Sequence, residues 1–552
     1  MESMSRISSM LETARDLTLE ASSAARPSRP PRPLAPTTIK KLLSSRSDRD
    51  ILDGLRRVIA MTYAHPPQPT LPYFSYVIKN IASGNLEVKK LVYIYLIEHA
   101  EQEPDTALLG INTIQKSLSD SNSHIRALAL RVMSSLRIPV ISQIVSLGIK
   151  RGVADMSPYV RRAAALAIPK CYRLDPATLP QLTEYLGQLL GDRQYYVAGA
   201  AVQAFLDLCP ERIDMVHKHF RGLVKKIVDM DEWGQLATLR FMTVYCRKCF
   251  PRRMRKVSKP TTTGTQQKTG KGFYDDEKDS NTEQEETDGE EVVILDPDHE
   301  LFLKAALPLL QSRNSAVIVA VTRAYLLVGT PTYLTLAIGP LISLLRSAQD
   351  IQQLALYNIV RVCLLHPHEF VRYTTHFLLR AAEAAHISHL KLELLTIIFP
   401  HAPSHIRGLI LAELQHFASG NDLDLVRDSV RAIGRCAQSS AVDAPTSARC
   451  LRLLLNQLTS PDSHLVAESL EVIRHLIQRD PSAHRGTVTR LARNLDTLTA
   501  PQARACIIWL VGEFAGVDPG NNIAADVLRI LVKGFSEERE GAKSQIVLLA
   551  AK

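Results

Sequence analysis

Two short motifs carry residue types that could bind a metal ion or a phosphate group. Cys246-Arg-Lys-Cys249 has the spacing of one half of a structural zinc site, which needs a second pair of ligands. The neighbouring sequence offers no second Cys-x-x-Cys and no His-x-x-x-His. Two cysteines at i and i+3 of a helix are typical of a packed core. We therefore expect no metal site.

The second motif is Gly264 to Gly272, GTQQKTGKG, which has some features of a phosphate-binding loop. It has one residue too many between Gly264 and Gly270, and Gly272 stands where Ser or Thr would bind Mg²⁺. The sequence also has no HExxH, no GxSxG and no GxGxxG placed between a strand and a helix. We expect no catalytic residues and no cofactor, so the protein is predicted not to be an enzyme.

Composition narrows the remaining classes. The 552 residues are 46% hydrophobic, which is too apolar for a disordered protein, and the length is too great for one compact core. The net charge of +10 is modest, and the basic residues are scattered rather than arranged in a stripe, so nucleic acid is not expected as a partner. The eight cysteines are scattered in apolar contexts, which indicates a reduced, cytoplasmic protein. The uncharged run from Ala324 to Leu345 is interrupted by Gly329 and Pro331, so we predict two helices and no membrane span.

The elements that position these residues come from an internal repeat. A polar turn is followed by Val or Ile, then by basic or polar residues, then by an apolar helix. The apolar anchors of ten copies are Val88, Ile125, Val160, Val197, Val317, Ile351, Leu390, Val426, Val466 and Ala503. Successive anchors lie 34 to 40 residues apart, except for a gap of 120 after Val197. That gap contains a charged insert of about 40 residues and one further copy beginning at Asp231.

A period near 37 with two amphipathic helices per copy predicts an all-α fold, an α-solenoid of HEAT or armadillo-type repeats. Strand signals are almost absent. We predict a disordered N-terminal tail over 1–38, repeats over 39–250, a charged disordered insert over 251–293 and further repeats over 294–552. The insert begins with basic residues and continues with a run of acids.

The repeats also carry a specific resemblance. Five segments resemble the trunk, or adaptin region, of a β-type large subunit of a clathrin-adaptor complex. They are Asn85 to Pro139, Ser157 to Pro176, Asp231 to Gln235, Val426 to Ala437 and Ala503 to Ala515. The resemblance covers Ile39 to Lys552. It is greatest to the β subunit of adaptor protein complex 3. That subunit carries a charged insert at the position of 252–291 and a similar repeat after Leu295. It implies that the sequence ends before the hinge and appendage of that family.

The resemblance implies a non-catalytic scaffold subunit of a heterotetramer with δ-type large, μ-type medium and σ-type small subunits. Such a complex sorts cargo into vesicles from Golgi or endosomal membranes to the vacuole or lysosome, with the protein peripherally bound to those membranes and their coated vesicles. Any clathrin contact would belong to regions outside this sequence. The resemblance leaves cargo and lipid specificity open.

The resemblance also implies two partner sites. Related trunks bind a GTP-loaded Arf-family GTPase on an early repeat, and Leu108 and Ile111 fall on the matching positions. Their i, i+3 spacing places them on one helical face, where they form either a docking patch or part of the core. Four basic residues early in the trunk could face anionic lipid: Lys40, Lys41, Arg56 and Arg57.

Two other interpretations stay open. One is a β subunit of another clathrin adaptor or of coatomer. The other is a karyopherin-like transport receptor, which would use Trp/Asn ladders along its repeats. The sequence contains only Trp233 and Trp509, which disfavours the second interpretation.

Overall fold

The computed structural model describes residues 34–64, 66–251, 253–257, 290–380, 383–420, 422–438, 444–458, 463–479, 484–495, 500–514 and 523–552. Within these residues the chain forms 26 α-helices and one two-stranded sheet. It divides into two compact units, Met1–Phe241 and Met242–Lys552, which we call unit 1 and unit 2. The boundary lies inside a helix, somewhat before the division at 250 that the sequence predicts.

The helices of unit 1 are α1 Pro36–Leu43, α2 Asp48–Thr62, α3 Phe74–Ile78, α4 Leu86–His99, α5 Pro104–Ser117, α6 Ser123–Ser135, α7 Ser142–Val153, α8 Pro158–Leu174, α9 Leu179–Leu190, α10 Tyr195–Leu208, α11 Phe220–Lys226 and the start of α12 Glu232–Cys249. Short 3₁₀ turns join several of them, namely Leu71–Tyr73, Lys79–Ala82, Pro139–Ile141, Pro176–Thr178, Ile213–Met215 and His217–His219. Helices α4, α6, α8 and α10 pack side by side in that order, as the inner members of stacked pairs should.

Unit 2 contains the strands β1 Arg253–Val257 and β2 Glu290–Ile294. Its helices are α13 Pro297–Ala306, α14 Ser315–Val328, α15 Pro331–Ser343, α16 Gln349–Leu365, α17 Pro367–Phe370, α18 Ala385–Ile398, α19 Ser404–Ala418, α20 Leu423–Gln438, α21 Ala444–Gln457, α22 Ser463–Arg479, α23 Arg485–Arg493, α24 Pro501–Phe514, α25 Ala524–Lys533 and α26 Glu540–Ala551. Its 3₁₀ turns are Leu307–Gln311, Leu344–Arg346, Val371–His376 and Phe399–His401. The even-numbered helices from α14 to α26 pack in sequence, so unit 2 repeats the arrangement of unit 1.

The polar turn of each repeat starts the second helix. Asn85, Asn122 and Asn314 are N-caps, and each side chain accepts a hydrogen bond of 2.9 Å from the backbone N–H two residues later. The cap satisfies one of the backbone donors that a helix start leaves free. The apolar anchor follows within the first turns and points into the core. Eight of the ten anchors are buried, and Ile125 and Ile351 are half-buried. The helical-repeat fold is therefore confirmed.

A ladder of ion pairs joins successive repeats of unit 1. Arg126 binds Asp155 through two hydrogen bonds of 2.9 Å, and Arg161 binds Asp192 through bonds of 2.6 and 3.2 Å. Each aspartate also accepts a backbone N–H at the start of the next inner helix. Because each arginine lies on one repeat and its aspartate precedes the next inner helix, the ladder fixes the spacing of the stack.

Among the described residues, the sheet is the one departure from an all-helical fold. Strands β1 and β2 are antiparallel, and the register pairs Arg253 with Ile294 and Val257 with Glu290. They occupy the two ends of the predicted insert 251–293, where Val257 and the run Val292–Ile294 supply β-branched residues. Residues 258–289, including the acidic run and Gly264 to Gly272, lie outside the described residues, as does most of the tail 1–38. The domain bounds predicted from the sequence stay a prediction.

The apolar run from Ala324 to Leu345 is divided between two helices. Helix α14 ends at Val328, and α15 begins at Pro331, whose ring suits the first position of a helix. A Cβ on Gly329 would lie 2.6 Å from the Tyr325 carbonyl oxygen, so only glycine fits this corner. In the described part of the chain, no helix combines the length and the apolar composition that crossing a bilayer requires.

Candidate partner-binding surfaces

Helix α5 carries the predicted GTPase-binding residues, and the structure separates them. Ile111 is 3% exposed and packs in the core with Ala107 and Ile114. Leu108 is half-buried. Of the two alternatives for this pair, the structure places Ile111 in the core, because the positions at i−4 and i+3 from it face inward, so Leu108 and Ile111 do not share one exposed patch. Their role in binding a GTPase stays a prediction.

The exposed apolar residue of α5 is one that the sequence analysis did not select. Leu109 is 75% exposed and lies beside Leu108 at the outer surface. Leu147, on α7 in the next repeat, is 61% exposed. The two leucines are 38 positions apart, close to one repeat period, so they occupy matching places on successive outer helices. This period was the signal that could have identified Leu109.

The four predicted lipid-facing residues differ in their surroundings. Lys40 is half-buried, and its ammonium lies 5.4 Å from the centre of the Tyr76 ring, a cation–π contact that Lys79 also makes at 5.3 Å. Lys41 is exposed. Lys40 and Lys41 lie in the last turn of helix α1, where positive charge is favoured by the helix dipole. Two lysines, Lys40 and Lys79, thus lie over the ring of Tyr76.

Arg56 and Arg57 are less available because both contact acids. Arg56 lies 3.8 Å from Glu87, with both side chains about two-thirds exposed. Arg57 donates to Asp53 at 2.9 Å, one helical turn earlier on α2. Exposed pairs of this kind contribute little to stability and exchange readily with other anions. Arg56 is thus the more accessible member of the pair.

Unit 2 contains a polar groove that the sequence analysis missed. It has a volume of about 930 Å³ and runs across α20, α22, α24 and α26. Its lining alternates basic and acidic residues, chiefly Arg427, Arg431, Glu468, Glu471, Arg474 and Trp509. The Arg474 guanidinium lies 5.7 Å from the centre of the Trp509 ring, and Arg431 binds Glu468 of the next repeat at 2.5 Å.

Several polar atoms in this groove have unmet hydrogen-bonding capacity. The Nε atoms of Arg427 and Arg474 and the Oε1 atom of Gln545 are buried and have no partner among the described residues. A buried polar atom without a hydrogen bond costs about 1–3 kcal/mol. Three such atoms in one groove favour a surface that a polar partner covers. The Arg431–Glu468 spacing of 37 residues was the signal present in the sequence.

The cysteines give no metal site in the described residues, where no group of three or more His, Cys, Asp or Glu side chains could hold an ion. Cys246 is buried and Cys249 is half-buried on the same helix. Burial raises the pKa of the Cys246 thiol to about 12, as expected for a thiol packed in the core. The core interpretation of this pair agrees with that burial.

The stacked helix pairs and the capped inner helices define a helical-repeat scaffold. Residues 33–552 match the family described as "Adaptin N terminal region", and the chain belongs to that family. It is 39% identical to human AP-3 complex subunit beta-1 over 93% of this chain and 45% of that protein. It is 36% identical to the Dictyostelium discoideum AP-3 complex subunit beta over 93% of this chain and 50% of that protein. The chain thus spans about half the length of these relatives.

One structural comparison agrees. A chain of the homology model of the full-length AP-3 complex in an intermediate open conformation superposes with a TM-score of 0.60 and is 28% identical. The match covers 100% of this chain and 89% of that chain. The fold and the family resemblance drawn from the sequence are thereby confirmed.

Proposed function

We propose that this chain is the non-catalytic trunk of a β-type subunit in an AP-3-like heterotetrameric adaptor. In this role it joins δ-type, μ-type and σ-type subunits and acts in vesicle-mediated protein transport from Golgi or endosomal membranes towards the vacuole or lysosome. The observation that carries the proposal is the 39% identity to an AP-3 β subunit across 93% of the chain. Stacked repeats supply the long surfaces that such a scaffold needs.

The polar groove of unit 2 is the proposed docking surface for the μ-type subunit. Its basic and acidic residues alternate, so a partner with the complementary pattern would form ion pairs in a fixed register. The buried unpaired atoms of Arg427, Arg474 and Gln545 would gain partners on assembly. Trp509 and Arg474 are residue types that are enriched at the energetic centres of interfaces.

Affinity purification of the tagged chain from its own cells, followed by mass spectrometry, tests the assembly. We expect three co-purifying chains of δ, μ and σ type. Arg474→Glu should remove the μ-type chain, because it reverses a charge at the groove. Arg56→Glu, an equally charge-reversing change in unit 1, is the matched control and should leave the complex intact. Purification without adaptor subunits would refute the proposed function.

We further propose that an Arf-family GTPase binds the outer face of α5 through Leu108 and Leu109. A GTP-loaded small GTPase presents an ordered apolar switch surface, and an exposed apolar residue suits it. Leu109 supplies that exposure, and Leu108 lies directly beside it. Ile111 then supports the helix from inside and makes no direct contact with the partner.

GTPase pull-down with the assembled complex tests this surface. Leu109→Asp should abolish binding of the GTP-loaded form and leave the melting temperature unchanged, since the side chain is exposed. Leu147→Asp is the matched control, an exposed leucine at the corresponding place on the next outer helix. Binding that survives Leu109→Asp, or that Leu147→Asp removes equally, would contradict the assignment.

The basic residues near the N-terminal end of the trunk are proposed to face anionic lipid. Lys41 is exposed and Lys40 is half-buried over Tyr76, whereas Arg56 is the more exposed of the two arginines, since Arg57 is held by Asp53. Each lysine or arginine near an anionic bilayer contributes about 1 kcal/mol. Vesicle sedimentation should therefore weaken in steps with Lys40→Gln and Lys41→Gln. A vesicle affinity that does not respond to these changes would rule out this orientation.

A further inference from the structure

Helix α8 exposes one face to solvent, while the side chains on its other faces are largely buried. Eight of its side chains are buried, from Val160 to Cys171. The side chains left accessible along one stripe are Tyr159, Arg162, Leu166, Lys170 and Arg173. Their spacing of three and four residues places them on a single face. Helix α6 presents a parallel stripe that includes Leu128, Arg131 and Ser135.

Three basic side chains, Arg131, Lys170 and Arg173, which we call the three-cation cluster, lie near the C-terminal ends of helices α6 and α8. The Lys170 side chain is half-buried, and its Nζ donates to the Ser135 hydroxyl at 2.9 Å, at the last residue of α6. Arg131, one helical turn before Ser135, and Arg173, three residues after Lys170, are both exposed. Burial, together with the positive charges of Arg131 and Arg173, lowers the pKa of Lys170. Across the part of the chain that the structure describes, none of these three side chains forms an ion pair.

Arginines on the same two inner helices are paired with acids. Arg126 binds Asp155, Arg161 binds Asp192, and Arg162 binds Asp231 at 2.6 Å. Just beyond the end of α6, Arg137 binds Glu101 at 3.2 Å. The neighbouring arginines therefore have acidic partners, whereas Arg131, Lys170 and Arg173 have none within ion-pair distance among the described residues. Like charges at close range repel, so a bound anion would relieve the cluster.

We propose that Arg131, Lys170 and Arg173 form a binding site for a phosphorylated serine or threonine in an extended peptide segment of a partner protein. Two arginine forks around one lysine ammonium match the three oxygens of a phosphate monoester. The proposal is independent of the function proposed above, because it rests on unit 1 alone.

The rest of the face favours a peptide over a flat membrane. From Arg173 the stripe continues past Leu166 to Tyr159, a length of about 21 Å at 1.5 Å per residue. Tyr159 is 53% exposed, and its ring lies against the His124 ring in a tilted arrangement with 5.0 Å between ring centres. A phosphate at Lys170 would thus anchor one end of an extended segment of about six residues, whose other side chains contact Leu166 and Tyr159. The recessed ammonium of Lys170 is poorly placed for a planar surface.

Selection from two peptide libraries tests the site with the full chain in its assembled complex. One library has a fixed central phosphoserine with random flanking residues, and the other has an unmodified serine there. We expect at least tenfold enrichment of the phosphorylated library. Lys170→Gln combined with Arg173→Gln should abolish the enrichment. Arg137→Gln, which removes a paired arginine at the same edge of the unit, is the matched control and should retain it.

Stability and lipid measurements complete the test. Because the double variant removes mutual repulsion, its melting temperature should equal or exceed that of the unmodified chain, and Arg173→Gln alone changes only an exposed residue. Equal retention of both libraries overturns the proposal, as does retention by the double variant. Binding to phosphatidylcholine vesicles that contain a phosphoinositide, lost in the double variant and without enrichment of phosphopeptides, also overturns it in favour of a lipid site.

Discussion

Replacing Arg161 with alanine should weaken unit 1 at one identifiable place. Its guanidinium makes two hydrogen bonds to Asp192, at 2.6 and 3.2 Å, and two to the backbone carbonyls of Asp155 and Met156, at 3.0 and 2.9 Å. The side chains of Arg161 and Asp192 are 19% and 8% exposed. Removing the arginine leaves the Asp192 carboxylate in a largely buried place, with its Oδ1 still accepting the Gln194 N–H at 2.8 Å.

The expected loss is about 3–5 kcal/mol, the usual cost of removing one partner from a buried ion pair. Arg161→Lys keeps the charge and loses the paired geometry of the fork, so it should lose less. Arg212→Ala is the matched control: Arg212 also pairs with an aspartate, Asp214 at 3.0 Å, but both side chains are more than half exposed. We expect no measurable change there.

Hydrogen exchange with mass spectrometry is the suitable assay, since it reports opening helix by helix. Amides of α8 and α10 should exchange roughly two to three and a half orders of magnitude faster in Arg161→Ala, at 1.4 kcal/mol per factor of ten. Amides of unit 2 should be unchanged. The reasoning would be refuted by equal effects of the Arg161 and Arg212 changes, or by protection in α8 and α10 that is unaltered.

Ile111→Asp should lower the free energy of unfolding by at least about 5 kcal/mol, because it removes buried apolar surface and buries a carboxylate. Leu109→Asp should change the melting temperature little, because Leu109 is exposed. Equal melting temperatures of the two variants would contradict the burial of Ile111. Burial alone would raise the pKa of the Asp155 carboxyl, but hydrogen bonds from Arg126 and the Ser157 N–H lower this pKa overall. The contribution of Asp155 to stability should therefore be present above about pH 4 and lost on further acidification. An acid titration of Asp155→Asn should lack that part of the acid-induced unfolding. Replacing residues 258–289 with Asn-Gly should join Val257 to Glu290 by a tight hairpin turn. The melting temperature should be unchanged or higher, because closing a shorter connection costs less entropy. A lower melting temperature would count against the pairing of β1 with β2.

The fold was predictable because the same local sequence pattern, a polar turn followed by an apolar anchor, recurs along the chain. An asparagine cap such as Asn85 or Asn122 and an apolar anchor three positions later are both visible in the sequence, and both act within one helical turn. The strands β1 and β2 were not predicted. Each has only five residues, and their pairing joins segments more than thirty positions apart, which no local pattern reveals.

The partner surfaces were less predictable, and α5 shows why. Leu108, Leu109 and Ile111 are all apolar, so the type of residue gives no information on which one faces outward. The answer depends on where the neighbouring helices pack: Gly110, for example, is so close to its neighbour that an added Cβ would meet the Ile81 side chain at 3.0 Å. The three-cation cluster likewise brings together Arg131 and Lys170, which lie on different repeats.

The pairing of Val257 with Glu290 has a consequence for how this gene can change over time. Because Val257 and Glu290 are partners on neighbouring strands, the chain leaves β1 and enters β2 at neighbouring points in space. Codons gained or lost between these two points alter neither the phase of the repeats nor the position at which α13 begins. Insertions and deletions between Val257 and Glu290 are therefore compatible with the same strand register and the same trunk.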